Sequence, residues 1–153
     1  MSVEFTVQNI PPRKDGANSM WSKDSEAPRI IALRKAAFDE MQKTGIFEPF
    51  QSSVRLEFTL FAARSHFSFV SGNYIGDLDT FITGICDGLQ AAHGNEQPAH
   101  PLFQSLQNTA IDFRHDLLIK NDAHVVSITA KKVPIDNQQQ PYYRVIVEPV
   151  EWY

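Results

Sequence analysis

Cysteine is nearly absent: Cys86 stands alone, so no disulfide can form within the chain, and a reducing, cytoplasmic compartment is the simplest setting. Long apolar runs are missing too. No stretch approaches the roughly 18 residues of a membrane span, and no basic-then-apolar segment follows Met1. The expectation is a protein with no export signal and no membrane partner. Positive charge is short: 14 Lys and Arg face 18 Asp and Glu, a net charge of −4. That balance argues against bulk electrostatic attraction to phosphate. No Gly-rich phosphate loop, Gly-x-Ser-x-Gly elbow or Cys–His dyad occurs, so neither a small-molecule cofactor nor nucleophilic hydrolase chemistry is expected. His93, His100 and His115 lie near Cys86 in sequence, but no pair has the short spacing of a structural zinc site.

What is present fits one domain. The chain has 153 residues, 42% of them hydrophobic and 11 of them Phe, enough for one ordinary core. Val3, Phe5 and Val7 alternate with polar residues and predict a first strand. A Pro- and Gly-punctuated loop then carries Met20 and Trp21. Trp21 is expected to cover the core, with stacking on a base as the alternative. A helix is predicted from Ser25 or Ala27 to about Lys43, with Pro28 in its first turn and Gly45 as its stop. Its inner face is Ile30, Leu33, Ala37 and Met41, with Arg29, Arg34 and Lys35 toward solvent. Val54, Leu56, Phe58 and Leu60 predict a second strand, which Phe67 to Val70 would continue after a bend. Leu102, Phe103, Leu106, Ala110 and Phe113 suggest a short amphipathic helix. Ala123 to Lys132 and Tyr142 to Val150 predict a closing hairpin turned at Asp136-Asn137-Gln138.

The chemistry concentrates on Asp77-Leu78-Asp79. Leu78, Phe81, Ile82, Ile85, Cys86 and Leu89 follow at i, i+3, i+4, i+7, i+8 and i+11, one apolar helix face. Two carboxylates one residue apart cannot share a face of a regular helix, but at a strand-to-helix junction both can converge on one cation. Asp122, ahead of a later strand, would complete an oxygen-rich site of the kind Mg²⁺ prefers, with Mn²⁺ as a substitute. The plainer role for Asp77 is an N-cap. Gly84 and Gly88 would let a neighbouring element approach the helix closely. His124 falls two positions beyond Asp122, either ordering a water near the metal or serving as an ordinary polar strand residue. Arg13, Lys14, Lys23, Arg29, Arg34 and Lys35 place six of the 14 cations within a 23-residue stretch, a candidate nucleic-acid-binding edge.

These residues, in this order, resemble the RusA-type family of Holliday-junction resolvases. The resemblance rests on Gly76-Asp77-Leu78-Asp79-Thr80, on Asp87-Gly88-Leu89, and on Asn121-Asp122-Ala123-His124-Val125-Val126. Ile10-Pro11-Pro12 after the first strand and the two closing strands also fit. The resemblance implies a small two-layer α/β domain over residues 1–153, ordered β-α-β-(β)-α-β-β, with helices on one mixed sheet. A helical insertion at about 93–116 would precede the penultimate strand. It further implies a homodimer that cuts branched DNA by Mg-assisted phosphodiester hydrolysis in recombination or repair. Asp77, Asp79 and Asp122 would hold the metal, and Asp87 would support catalysis. Three departures stand out. Thr80 and Thr83 replace an Asn and a Lys that the family usually carries, and that lysine is held to assist catalysis. The family's acidic pair is Asn121-Asp122, and the gap from Asp79 to Asp122 is long. They keep two alternatives open: a RusA-like module that binds nucleic acid or protein without cutting, and a nuclease for linear or flap DNA.

Overall fold

The computed structural model describes residues 1–15, 19–92, 98 and 100–151. Trp152, Tyr153 and His93 lie outside the described residues. Strand β1 spans Val3–Val7, helix α1 Ala27–Thr44, strand β2 Val54–Ala63 and helix α2 Leu78–Leu89. A four-residue helix α3 (Pro101–Gln104) precedes strands β3 (Val125–Ile135) and β4 (Tyr142–Pro149). The four strands form one mixed sheet in the order β1-β4-β2-β3, with β2 and β3 parallel and the other pairs antiparallel. The last two strands are therefore not the expected hairpin: β4 pairs with β1 and β2, and β2 separates it from β3.

Alternation decides which face is buried. Val3, Phe5 and Val7 of β1, Leu56, Phe58 and Leu60 of β2, and Tyr143, Val145 and Val147 of β4 all point inward. Leu33, Ala37 and Met41 of α1 and Phe81, Ile85 and Leu89 of α2 cover that face in one apolar cluster. The other face carries ion pairs between neighbouring strands, Arg144 with Glu4 at 3.7 Å and Arg55 with Glu148 at 3.8 Å. The result is two layers, one face dry and one wet. Gly45 ends α1 in a left-handed conformation (φ 73°), as its position predicts. Among the described residues, no helix is long and apolar enough to cross a membrane.

Several expectations need correction. Phe67 to Val70 do not extend β2. Arg64–Phe67 and Phe69–Ser71 are 3₁₀ turns, held by the Ser71 hydroxyl, which donates to the carbonyls of Ser65 and Ser68. Phe69 and Val70 are left 78% and 95% exposed. The helix suggested over Leu102 to Phe113 shrinks to α3. The Ser105 and Thr109 hydroxyls donate to the carbonyls of Leu102 and Leu106, which favours turns over a continuing helix. Phe103 and Phe113 still pack together, 6.4 Å apart. Trp21 is buried against Phe103 and covers this second cluster. Asp122–His124 form a 3₁₀ turn, so β3 begins at Val125 rather than Ala123. The Asn121 side chain caps that turn by accepting the Ala123 N–H at 2.9 Å.

Arg34 is the largest departure. It is 1% exposed rather than facing solvent. Ala27, Ile30, Arg34, Ala37 and Met41 recur at i, i+3, i+7, i+10 and i+14, so position 34 lies in the inner stripe of α1. Its five N–H groups donate to the carbonyls of Gly88, Gln90, Ile111, Asp112 and His115, at 2.5 to 3.0 Å. A guanidinium spent in this way cannot reach a phosphate.

Candidate functional site

Gly84 begins the construction. A Cβ there would lie 1.9 Å from the Pro12 carbonyl oxygen, so glycine lets the segment after β1 pack directly on α2. A buried carboxylate fixes the same segment from the other side: Glu26 accepts the Arg13 N–H at 2.7 Å. The chain then runs beside the first turn of α2, where the Lys14 N–H donates to the Thr80 carbonyl at 3.3 Å. The Arg13 side chain reaches Gly76, whose φ of 137° suits glycine and whose Cβ position lies 3.2 Å from Arg13 Cδ.

Asp77 and Asp79 stand at this end of α2. Asp77 occupies the N-cap position, yet its side chain accepts no hydrogen bond from the helix. Its carboxylate instead accepts from the Tyr74 hydroxyl. That hydrogen bond first, then partial burial and the charges of Asp77 and Asp79, push the Tyr74 pKa above its ordinary value. Both carboxylates therefore bear on one hydroxyl. Both are exposed. Lys132 of β3 arrives from beneath, its Nζ donating to the Gly76 carbonyl at 2.9 Å. The cations at this spot include one that sequence pattern had not flagged, although the alternation of β3 carried the signal.

Asp122 is elsewhere. It accepts a hydrogen bond from the Gln90 side chain, and Gln90 closes the C-terminus of α2 while Asp77 stands at its start. The intervening helix rises about 1.5 Å per residue, which sets the backbones of Asp77 and Gln90 roughly 20 Å apart, and Asp122 stays with the Gln90 end. The expected convergence of Asp77, Asp79 and Asp122 within one chain does not occur. A parallel β2–α2–β3 crossover brings α2 back to the start of β3, which is why the acid heading β3 meets the far end of the helix. Asp87 belongs to that far end as well. Burial, reinforced by the charges of Asp122 and Asp87, raises the Cys86 thiol to about 12. His124 lies next to Asp122 with a buried Nδ1 that has no hydrogen-bond partner. Among the described residues, no three His, Cys, Asp or Glu side chains gather to hold a metal.

The basic candidates divide likewise. Arg13 and Lys14 flank the Asp77 end. Arg29 pairs with Glu26 at 3.2 Å, Lys23 is half-buried and Lys35 exposed, and Arg34 is interior. The chain matches no known protein-family model, and no curated protein is significantly similar to it.

Proposed function

We propose that this chain is a metal-dependent endodeoxyribonuclease of RusA type, cutting branched DNA as a homodimer. The observation that carries the reading is the Asp77 end of α2. A carboxylate at a helix start forgoes its capping role, accepts instead from the Tyr74 hydroxyl, and has Asp79, Arg13 and Lys132 nearby. Helix capping alone explains neither the second acid nor the cations. Acids for a metal beside cations for a phosphodiester explain both.

Two carboxylates suit Mg²⁺, which usually keeps several waters and takes one or two protein carboxylates together with substrate phosphate oxygens. Asp77 and Asp79 would hold it, and when bound it supplies a water of lowered pKa and charge stabilisation at phosphorus. Hydrolysis adds water across one P–O bond: the water oxygen bonds to phosphorus, the bond to a sugar oxygen breaks, and that oxygen takes the proton. Tyr74 orients Asp77 through its hydrogen bond. Arg13 and Lys14 hold the DNA backbone beside the cut. Asp122 cannot join this site from its own chain, so the three-acid reading requires Asp122 from a second copy.

The test is cleavage of a synthetic four-way junction in Mg²⁺ or Mn²⁺, with linear duplex and flap DNA alongside. Asp77→Asn and Asp122→Asn should each abolish cutting and preserve binding. Mixing the two inactive variants should restore activity, since random exchange of subunits in a two-fold dimer leaves about a quarter of the pooled sites intact. No recovery, with each variant dead alone, would remove Asp122 from a shared site. A specific observation favours the second reading, a module that binds without cutting: no three-acid group forms within one chain among the described residues. Junction binding without cleavage of any substrate, in both metals, would select it.

A further inference from the structure

We propose that Lys132 is the cation that contacts the substrate phosphate at the Asp77–Asp79 end, supplying from β3 the charge that α2 lacks at Thr83. The inference rests on the nuclease reading above. Thr83 lies one turn beyond Asp79, but its hydroxyl donates to the Asp79 carbonyl at 2.9 Å. That position offers a substrate no positive charge.

Lys132 occupies an unexpected row. The parallel register pairs Leu56 with Ile128, Phe58 with Ala130 and Leu60 with Lys132, so the lysine continues an otherwise apolar line on the helix-facing side of β3. Placing an ammonium there is unfavourable unless the stem delivers its head group to a polar destination. The destination is the loop before Asp77. Nζ lies 2.9 Å from the Gly76 carbonyl oxygen and 3.5 Å from the Tyr74 hydroxyl, over the Tyr74 ring at 4.9 Å and the Phe67 ring at 5.4 Å. An ammonium has three donors, and the Gly76 carbonyl engages one at good distance. Among the described residues no carboxylate forms an ion pair with Lys132. A lysine present only to neutralise Asp77 would pair with it directly; this one stops at a neutral carbonyl and a hydroxyl.

An independent observation points to the same spot. The Nε of Arg13 is buried and has no hydrogen-bond partner, while its Cδ packs at Gly76. Two cationic side chains from distant segments thus come together at Gly76, one residue before the carboxylates, and the Lys132 ammonium keeps donors that the Gly76 carbonyl does not use. A phosphodiester bridging the acids' metal and these cations meets both kinds of partner that an anion requires.

Binding of a synthetic four-way junction, measured with Ca²⁺ in place of Mg²⁺ between 50 and 200 mM salt (roughly the range where phosphate contacts are felt), isolates the contact from cleavage. Lys132→Met should reduce the slope of log affinity against log salt by about 0.9, the loss of one phosphate contact. Lys132→Arg should keep the slope. In Mg²⁺, Lys132→Met should slow cutting by about 100-fold or more, and Thr83→Lys in that background should recover part of the loss. Should Lys132→Met melt early, Lys132→Gln serves in its place. An unchanged slope in a folded neutral variant overturns the assignment, whatever the wild type cuts. A reduced slope with a wild type that cuts no DNA overturns the nuclease reading and leaves the phosphate contact standing. A wild type that binds no DNA overturns both.

Discussion

Arg34 donates every N–H it has to main-chain carbonyls, tying residues 88–90 and 111–115 to α1. Burial lowers its pKa to about 10, with the charges of Asp116 and Asp112 working the other way, so the group stays charged at neutral pH. Its worth lies in geometry, since no other side chain presents five donors in one plane. Arg34→Met should cost about 4 kcal/mol, by stranding buried carbonyls. At roughly 2–4 °C per kcal/mol for a chain of this size, the melting temperature should fall by about 10 °C. Thermal unfolding followed by circular dichroism checks this, and a change within 2 °C, roughly 1 kcal/mol or less, would show that water replaces the guanidinium without cost. Arg34→Lys should recover only part, having three donors for five carbonyls. Sequence pattern alone sets Arg34 toward solvent, because a charged residue beside an apolar stripe reads as surface unless its partners are known. Those partners are main-chain carbonyls far along the chain, which no side-chain pattern reveals.

Gly84 and the Pro12–Lys14 segment form the contact on which the proposed site depends. Replacing Gly84 with Ala gains about 1 kcal/mol of helix propensity. Against that, the new methyl would sit 1.9 Å from a carbonyl oxygen, an overlap only backbone movement can relieve, typically at 1–3 kcal/mol or roughly more. Overlap wins. Gly84→Ala should therefore lower stability by up to about 2 kcal/mol net and weaken DNA binding, because Arg13 and Lys14 move with the displaced segment. A stabilised variant would mean that Pro12 yields freely. Periodicity made β1, α1, β2 and α2 legible, along with the small-residue face of α2. The 3₁₀ turns at Arg64–Phe67 and Phe69–Ser71 were not, because serine hydroxyls set them and apolar alternation does not report hydroxyl bonding. Asp77 and Asp79 were visible as a pair. Their distance from Asp122 was not, since sequence order alone does not say which end of α2 meets β3.

Whole-molecule charge and shape bear on assembly. The chain carries a net −4, yet Arg13, Lys14 and Lys132 gather at one end of α2, so attraction for phosphate is local rather than global. β3 is an edge strand of 11 residues, and Val126 and Ile128 on it are 42% and 48% exposed. A long edge bearing apolar side chains is the kind of surface that proteins cover. Sedimentation at micromolar concentration should give close to twice 17.3 kDa, and Ile128→Lys should shift that toward the single chain without changing the melting temperature by more than about 2 °C, since exposed substitutions are usually worth within 0.5 kcal/mol. A clean monomer for the wild type would rule out carboxylates pooled between copies.

The place of β4 has a consequence for synthesis. β4 follows the other three strands in the chain yet lies between β1 and β2, so as the protein emerges from a ribosome, β1 waits without a strand partner while more than a hundred residues are added. Such long-range closure is slow, and until it happens Val3, Phe5 and Val7 have no sheet to join. A nascent chain stalled before Tyr142 would offer an unpaired strand to any chaperone or neighbouring copy, making the interval before β4 appears the one in which this protein is most exposed to misassembly.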